Sequence, residues 1–266
     1  HAGAWHRQVS LLSMESIRRF GEQCGREFRP GEFAENLTTE GLDLEGVAML
    51  DRIHIGEVEL EVTQIGKECH GQACAIARDL GKCVMPRSGI FCRVIRTGTI
   101  RPGDPMRHLT RPVAIAIITL SDRAYRGEYR DASGPAVRAR VQQHFAKSQW
   151  RAQVAESLIV PDDVQRLRQA IEQTLASGCR ILITTGGTGL GPRDITPDVI
   201  GPMLDREIPG VMESVRVKYG SANPSALLSR SIAGMINSTL VYTLPGSSRA
   251  VEEYLDEILP TLDHSL

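Results

Sequence analysis

A chain of 266 residues is long enough for two domains of ordinary size. The charges of its 31 Lys and Arg residues are nearly cancelled by those of its 32 Asp and Glu residues, whereas a protein that coats nucleic acid is strongly basic. The longest uninterrupted apolar run, Val113 to Ile118, is too short to cross a bilayer, and no secretory signal pattern is visible. Six irregularly spaced cysteines do not form the framework of a small secreted domain, so we expect reduced thiols in a cytoplasmic protein with no membrane or nucleic-acid partner.

Short apolar runs alternate with glycine-containing turns in the first half of the chain, which predicts a β-rich domain built from hairpins. Residues 57–63 alternate acidic and apolar side chains, as expected of a half-buried strand. The chain begins at His1 rather than Met and its first residues resemble the inside of a domain, so we also expect an N-terminal truncation. The predicted strands are Ala48–Ile55, Val58–Gln64 and Ile90–Ile95.

The pattern changes near a turn-rich stretch at Arg101–Pro105, and Leu109–Pro112 would serve as a short linker. These features predict a first domain over residues 1–108 and a second over residues 112–266. The two halves are expected to differ in fold, because their apolar residues are spaced differently.

The second half has the β-α-β-α-β order of a parallel sheet with helical crossovers, so we expect a doubly wound, mostly parallel α/β domain. Sheets of this kind bind ligands beyond the carboxyl ends of their strands. The loops after Leu120, Val160 and Thr185 should therefore converge on one site. The predicted elements are a strand over Val113–Leu120, a helix over Pro135–Phe145, a strand ending at Val160, a helix over Asp162–Leu175 and a strand over Arg180–Thr185.

The strongest signal is the glycine-rich segment Thr184–Asp194, which follows the last of these strands. Its glycines let backbone N–H groups approach a ligand and form a concave anion-binding surface, and its threonines add hydroxyl groups. The segment is not a Walker A loop, since no Gly-Lys-Ser/Thr follows, and no Gly-x-Gly-x-x-Gly register fits it. The alternative is a flexible turn that binds nothing.

Two acidic residues, Asp162 and Asp194, follow different strands of the predicted sheet, so both carboxylates are expected at the same crevice. Two acids beside a phosphate-binding loop suit Mg²⁺, which prefers oxygen ligands and is usually shared with substrate phosphates. Taken singly, Asp162 could instead be the N-cap of the following helix, and Asp194 could be a turn or cap residue.

Two further loops point to the same edge of the sheet. The first combines Ser121-Asp122-Arg123 with Asp131–Gly134, and the second is Leu244–Ser248, in which Ser247 or Ser248 would cap the last helix. The N-terminus of that helix would favour an anion. Four loops rich in Gly, Ser, Thr and Asp at one edge are difficult to explain by capping alone.

These loops, together with Pro192–Asp198 and Leu228-Ser229-Arg230, form a series that resembles the molybdopterin adenylyltransferase family, which includes a domain of gephyrin. The resemblance covers residues 112–266 and implies that molybdopterin reacts with Mg-ATP to give adenylated molybdopterin and pyrophosphate. It implies that Asp162 and Asp194 are the catalytic and Mg²⁺-binding acids. Some relatives carry Asn where this chain has Thr243. The implied substrate-binding residues are Ser121, Asp122, Asp131, Thr185, Gly186, Gly187, Thr188, Gly189, Ser229, Pro245, Gly246 and Ser247.

The same resemblance implies a homo-oligomer, with a trimer favoured, and a molybdenum-insertion or apo-molybdoenzyme partner. Two alternatives remain open. One is a non-enzymatic carrier or sensor of molybdopterin or the finished cofactor, and the other is a domain related to nicotinamide-nucleotide deamidases.

The first half resembles a molybdenum-cofactor sulfurase C-terminal (MOSC) domain through Gly31–Gly41, Arg52–Gly56 and Glu61–Gln64. This resemblance implies that a form of the molybdenum cofactor binds there and that Cys69, just after the last of these strands, carries sulfur or contacts molybdenum. The chain has Lys67-Glu68-Cys69 where relatives have Arg-Pro-Cys.

Several thiols and an imidazole near Cys69 also invite a metal-site interpretation, because such ligands suit molybdenum, zinc or iron. The spacing of Cys69-His70, Cys74, Cys83 and Cys92 is not a standard C-x-x-C pair. Buried cysteines are common in protein cores, so Cys92, beside Phe91, is expected to be a core residue.

Overall fold

The computed structural model describes residues 6–67, 79 and 81–266. The chain divides into two compact units, of which the first comprises the residues up to Pro112 with Gln149–Arg151, and the second comprises Val113–Ser148 and Ala152–Leu266. None of the helices in the described ranges is long and apolar enough to cross a membrane. Cys69, His70 and Cys74, the centre of the expected thiol site, lie outside the described residues.

The first unit is built on a six-stranded sheet with the strand order β2-β1-β5-β4-β3-β6. The pair β1 and β2 is parallel, and the other neighbours are antiparallel, in agreement with the β-rich fold expected from the sequence. The elements are β1 (Val9–Ser13), α1 (Met14–Cys24), β2 (Leu37–Thr39), β3 (Arg52–Ile55), β4 (Val58–Ile65), α2 (Met85–Ser88), β5 (Ile90–Arg96) and β6 (Met106–Leu109).

Two sequence-based boundaries in this unit are wrong. The expected strand Ala48–Ile55 begins only at Arg52, because the buried Asp51 carboxylate accepts the Ala48 N–H at 2.9 Å and holds a turn in which Leu50 has a φ of 69°. Leu109, assigned to the linker, ends strand β6 instead and pairs with Arg52.

The core of the first unit forms two buried clusters, one that includes Leu11, Ile53 and Leu60 and a second that includes Leu12 and Phe20. Cys92 is also fully buried in β5, as expected of a core residue. Burial, together with the negative charge of Glu61, raises the pKa of the Cys92 thiol to about 12, so this thiol is not a nucleophile.

The second unit is an α/β domain on a six-stranded sheet with the order β10-β11-β12-β9-β7-β8, in which β12, β9, β7 and β8 are parallel. This arrangement confirms the doubly wound, mostly parallel fold. The strands are β7 (Val113–Leu120), β8 (Ala152–Val160), β9 (Ile181–Thr185), β10 (Arg206–Glu207), β11 (Ala233–Ile236) and β12 (Thr239–Leu244).

Helices cover this sheet. Strands β7 and β9 are buried on both faces, and their apolar side chains contribute to the core between the sheet and the helices. Helix α4 begins at Ser133, one residue before Gly134 and two before the predicted start at Pro135. The helices are α3 (Asp122–Tyr125), α4 (Ser133–Phe145), α5 (Val164–Ala176), α6 (Thr196–Ile200), α7 (Pro209–Gly220) and α8 (Ser248–Ser265), with 3-10 turns at Gly201–Met203 and Pro224–Leu228.

Candidate functional site

The carboxyl ends of the four parallel strands lie side by side in the second unit. Leu120 at the end of β7 is in register with Val160 of β8, and Thr185 at the end of β9 is in register with Leu244 of β12. The loops that follow these strands therefore leave the sheet at one edge, which is where α/β sheets place their ligands.

The loop of residues 186–194, which we call the glycine loop, starts with two glycines whose backbone no other residue would adopt without strain. Gly186 has a φ of 92°, and a Cβ atom there would lie 2.4 Å from the Leu120 carbonyl oxygen. Gly187 has a φ of 64°, and its Cβ would lie 2.6 Å from Thr196 Oγ1. Thr196 fixes this turn by donating from Oγ1 to the Gly186 carbonyl at 2.8 Å and from its N–H to the Gly187 carbonyl at 3.0 Å.

Arg230 holds the rest of the glycine loop in place. Its Nε donates to the Gly189 carbonyl at 2.8 Å, and its Nη2 donates to the Asp194 carbonyl. Its backbone N–H donates to the Thr188 carbonyl at 2.9 Å, and its Nη1 contacts both Asp198 carboxylate oxygens, at 2.8 and 3.0 Å. A single side chain therefore connects the middle of the loop to its last residue, which suits the planar, multidentate guanidinium group.

The Asp194 side chain folds back onto the loop. Its Oδ2 accepts the Gly191 N–H at 2.8 Å, and a Cβ at Gly189 would lie 2.7 Å from the same oxygen. Glycine at position 189 therefore leaves room for the carboxylate, which remains half-buried.

An open cavity of about 450 Å³ lies against one side of the glycine loop. Its wall includes Tyr254, which is 2% exposed and donates from its hydroxyl to Ser229 Oγ at 2.8 Å. The lining of this cavity includes the acidic residues Asp194 and Glu253 and no basic residue. The residues from the sequence analysis that line this cavity are Gly187, Thr188, Gly189, Asp194, Ser229, Pro245, Gly246 and Ser247.

A pair of carboxylates, Asp122 and Asp162, joins the loops after β7 and β8. Asp122 Oδ1 accepts a hydrogen bond from the Asp162 N–H at 3.0 Å. In return, Asp162 Oδ2 accepts a hydrogen bond from the Asp122 N–H at 3.5 Å. Arg193, from the glycine loop, contacts Asp122 Oδ2 at 3.3 Å. These three residues bring charges of both signs to the ends of three neighbouring loops.

Burial raises the pKa of the Asp162 carboxyl above its usual range. The negative charges of Asp122 and Asp194 raise this pKa further, while the Asp122 N–H and the Arg193 guanidinium act in the opposite direction. The contribution of Asp194 is the smallest of these, and the Asp194 side chain also lines the cavity.

Asp131 lies in the same group of loops, but both oxygens of its carboxylate already accept hydrogen bonds from other residues of the chain. Oδ1 accepts the Ser133 N–H at 2.9 Å and the Ser133 hydroxyl at 2.8 Å, and Oδ2 accepts the Thr119 hydroxyl at 2.9 Å. Ser133 also contacts Thr185 Oγ1 at 2.9 Å. Asp131 and Thr185 thus lie in a network that fixes the start of helix α4 and do not line the cavity.

The remaining loop residues have capping roles. Ser121 accepts the Ala124 N–H at 3.3 Å and caps α3, and Ser247 accepts the Ala250 N–H at 3.2 Å and caps α8, as expected for that helix. The N-cap of α5 is Asp163 and not Asp162, so the capping alternative for Asp162 is wrong.

Several residues that build the site were missed by the sequence analysis. Tyr254 and Glu253 belong to helix α8 and Asn223 precedes a 3-10 turn, and no local pattern indicates that they face a cavity. Arg230 was noted only as part of a motif. An arginine that follows a leucine and a serine in a short loop indicates nothing by itself, because its partners are distant in sequence.

Within residues 6–67, 79 and 81–266, no three His, Cys, Asp or Glu side chains are grouped so that they could hold a metal ion. A cation held by the neighbouring carboxylates of Asp122 and Asp162 would therefore have to take most of its oxygen ligands from a bound phosphate.

Comparison with known proteins finds a family profile that matches each of the two units. The profile described as "probable molybdopterin binding domain" matches residues 116–264, and the MOSC domain profile matches residues 1–107. Gephyrin of Dictyostelium discoideum is 35% identical over 161 residues, which are 57% of this chain and 22% of gephyrin. The molybdopterin adenylyltransferase of Haemophilus influenzae is 32% identical over 151 residues, which are 56% of this chain and 75% of that relative.

Among solved structures, the molybdopterin biosynthesis enzyme MoaB of Thermus thermophilus is 34% identical, with a TM-score of 0.51, over 57% of this chain and 93% of that chain. The chain spans only 22% to 46% of the length of gephyrin and two other curated relatives. Because one family profile covers more than half of the sequence and the fold agrees, the chain belongs to the family of the probable molybdopterin binding domain, with a MOSC domain before it.

Proposed function

We propose that this protein acts in molybdenum cofactor biosynthesis and that its second unit transfers the adenylyl group of Mg-ATP to molybdopterin. The observation that carries this proposal is the position of Asp194. Its carboxylate lines the cavity beside the glycine loop and also acts electrostatically on Asp162 in the neighbouring loop. Asp194 would therefore connect the pocket for an organic substrate with the neighbouring carboxylates of Asp122 and Asp162, which would bind a cation together with a phosphate.

In this proposal the glycine loop holds the pterin or its phosphate, because the backbone of Gly187, Thr188 and Gly189 lines the cavity and can donate N–H groups to an anion. Asp162 and Asp194 hold Mg²⁺ together with the nucleotide phosphates, and Mg²⁺ when bound neutralises the charge on those phosphates. Arg230 keeps the loop and Asp194 in position through the contacts to its two ends.

The reaction forms one phosphoanhydride bond and breaks another. An oxygen of the terminal phosphate of molybdopterin attacks the α-phosphorus of ATP, and the bond from that phosphorus to the bridging oxygen of the β-phosphate breaks. The products are adenylated molybdopterin and pyrophosphate, which keeps the bridging oxygen. Such a transfer depends mainly on alignment and charge neutralisation, which are the properties that a fixed loop and two carboxylates supply.

The MOSC domain is proposed to bind or sulfurate a form of the same cofactor, with Cys69 as the thiol concerned. This part rests on the resemblance of the sequence, since Cys69 is outside the described residues. Its test is the exchange Cys69→Ser, which should abolish cofactor or sulfur binding by the first unit. Unchanged binding would remove Cys69 from the site.

We also propose that the protein forms a homo-oligomer, which sedimentation of the 266-residue chain would test.

The test of the adenylyl transfer is pyrophosphate release by the full-length protein with molybdopterin and Mg-ATP. Asp194→Asn should lower turnover by about 100-fold or more, the range typical for loss of one group that stabilises charge in a transition state. Asparagine still offers an oxygen to the Gly191 N–H, so the loop should remain closed. Asp162→Asn should have a similar effect.

Asp263→Asn, an exposed carboxylate near the end of α8, is the matched control and should leave the rate unchanged. If the wild-type protein bound molybdopterin but released no pyrophosphate, the proposed adenylyl transfer would be contradicted, and the role of a cofactor carrier would be favoured. Release that persists in both Asp162→Asn and Asp194→Asn would contradict the assigned roles of these acids.

A further inference from the structure

A series of hydrogen-bonded hydroxyl groups runs from helix α8 into the wall of the candidate functional site, through Tyr254, Ser229 and Ser231. The Tyr254 hydroxyl donates to Ser229 Oγ at 2.8 Å, and Ser229 Oγ lies 3.0 Å from Ser231 Oγ. Tyr254 and Ser231 are buried, whereas Ser229 is half-buried and lines the cavity. The Ser229 hydroxyl is therefore the group of this series that meets a ligand in the cavity.

The hydrogen bonds of this series determine the direction of the Ser229 proton. A serine hydroxyl has one proton to donate and two lone pairs that accept. One lone pair of Ser229 Oγ accepts the Tyr254 proton, and the other accepts the N–H of Ser231 at 3.4 Å. With both lone pairs filled, Ser229 can only donate, either to Ser231 Oγ or to an acceptor atom in the cavity. A charged oxygen is a stronger acceptor than a hydroxyl, so an anionic ligand receives the proton.

The backbone around Ser229 is held in place by other groups. Arg216 Nη1 donates to the Ser229 carbonyl at 3.4 Å and to the Ser231 carbonyl at 3.0 Å. The Ser229 N–H donates to the Ala226 carbonyl at 3.3 Å. Removal of the Tyr254 hydroxyl would therefore leave this backbone fixed and would change only the direction of the Ser229 hydroxyl.

We infer that Tyr254 is a positioning residue, which fixes Ser229 as a hydrogen-bond donor to the bound molybdopterin. The inference rests on the proposed function, in which Ser229 is a substrate contact, and adds the residue that sets the polarity of that contact. With Tyr254 in place, Ser229 selects an acceptor atom of the ligand, such as a phosphate or carbonyl oxygen. Without it, a lone pair of Ser229 is open, and the hydroxyl accepts as readily as it donates.

The alternative role for the Tyr254 hydroxyl is structural, because a buried phenol needs a hydrogen-bond partner wherever it lies. A double-mutant cycle with Tyr254→Phe and Ser229→Ala separates the two roles. Phenylalanine keeps the buried ring and removes only the hydroxyl. The 266-residue protein is titrated with molybdopterin in the absence of ATP, and binding is followed by the fluorescence of the pterin, so the dissociation constant is measured without turnover.

We expect Ser229→Ala to raise the dissociation constant about tenfold, because a hydrogen bond to the ligand is lost. Tyr254→Phe should raise it about threefold to tenfold in the wild-type background. In the Ser229→Ala background the same exchange should change it by less than about twofold, because the hydroxyl through which Tyr254 acts is already gone.

The matched control removes the hydroxyl of another buried tyrosine. Tyr242 in β12 is 1% exposed, and its hydroxyl forms hydrogen bonds with Thr261 and Ser265 near the C-terminal end of α8. Tyr242→Phe should leave the dissociation constant within about twofold of wild type, because its partners do not line the cavity. A thermal melt of each variant shows whether the protein titrated is folded.

Equal weakening by Tyr254→Phe in both backgrounds would overturn the inference, since Tyr254 would then act without Ser229. Unchanged binding in either single variant, or equal weakening by Tyr242→Phe, would also overturn it. Pyrophosphate release tests the transfer separately. A wild-type protein that shows the expected cycle but releases no pyrophosphate would contradict adenylyl transfer and leave the role of Tyr254 standing. Release of pyrophosphate together with an additive cycle would contradict the role of Tyr254 alone, and absence of molybdopterin binding by the wild-type protein would overturn both.

Discussion

Asp162 illustrates how single residues set the conditions under which the proposed site works. Its pKa is raised first by burial and then by the neighbouring charges of Asp122 and Asp194. A carboxylate must be ionised to hold a cation, so protonation of Asp162 inactivates the site at a higher pH than an ordinary aspartate would. The acid limb of the activity profile should therefore report chiefly the burial of Asp162 and, to a smaller extent, the charges of its neighbours.

The exchange Asp122→Asn should shift that acid limb to lower pH. It removes a like charge, which lowers the pKa of Asp162, and it leaves an amide oxygen to accept the Asp162 N–H. Burial, the largest cause, remains, so only part of the elevation should disappear. Pyrophosphate release measured against pH gives the position of the limb. A limb that stays in place or moves to higher pH would show that Asp122 does not act on Asp162 through its charge.

The glycine loop shows how a whole element depends on the strand beside it. Gly186 passes so close to the end of β7 that a Cβ would overlap the Leu120 carbonyl oxygen at 2.4 Å. Its left-handed backbone turns the chain towards α6, where Thr196 donates hydrogen bonds to the carbonyls of Gly186 and Gly187. The loop is thus shaped by backbone geometry, with few side chains involved.

Gly186→Ala should therefore destabilise the protein more than an alanine at an equally left-handed but open position. We expect a loss of about 2–5 kcal/mol, from the left-handed backbone of a non-glycine residue together with the steric overlap. Gly127, with a φ of 73° and nothing within 4 Å of a Cβ, is the control, and Gly127→Ala should cost only about 1–2 kcal/mol. Chemical denaturation of the two variants compares these costs. Equal losses would mean that Leu120 moves aside without strain.

The parallel strands β7, β8 and β9 and the convergence of their loops could be predicted from the sequence, because a buried parallel strand such as Val113–Leu120 is a continuous apolar run and the helices between the strands have regular spacing. The order of the strands in the sheet, with β12 beside β9, could not, since a short strand does not indicate its neighbours. Leu109 was assigned to the linker and not to β6 because edge strands are short and partly polar. The same limit applies to Tyr254, whose role depends on which helix face meets the cavity.

At the scale of the whole molecule, the proposed adenylyl transfer is confined to one unit. The residues that line the cavity and the acids beside it all fall between Asp122 and Tyr254, within the second unit. Each unit has its own sheet and its own apolar core, so each has the elements needed for an independent site.

Core substitutions in the two units should therefore differ in their effect on adenylyl transfer. Leu60→Ala in β4 and Leu182→Ala in β9 each remove a fully buried side chain and should each cost about 2–5 kcal/mol. Leu60→Ala should leave the rate of pyrophosphate release per folded molecule unchanged. Leu182→Ala should lower that rate, because β9 leads directly into the glycine loop. If Leu60→Ala lowered the release of pyrophosphate as strongly as Leu182→Ala, the catalytic site would depend on the first unit, and assignment of adenylyl transfer to the second unit alone would be wrong.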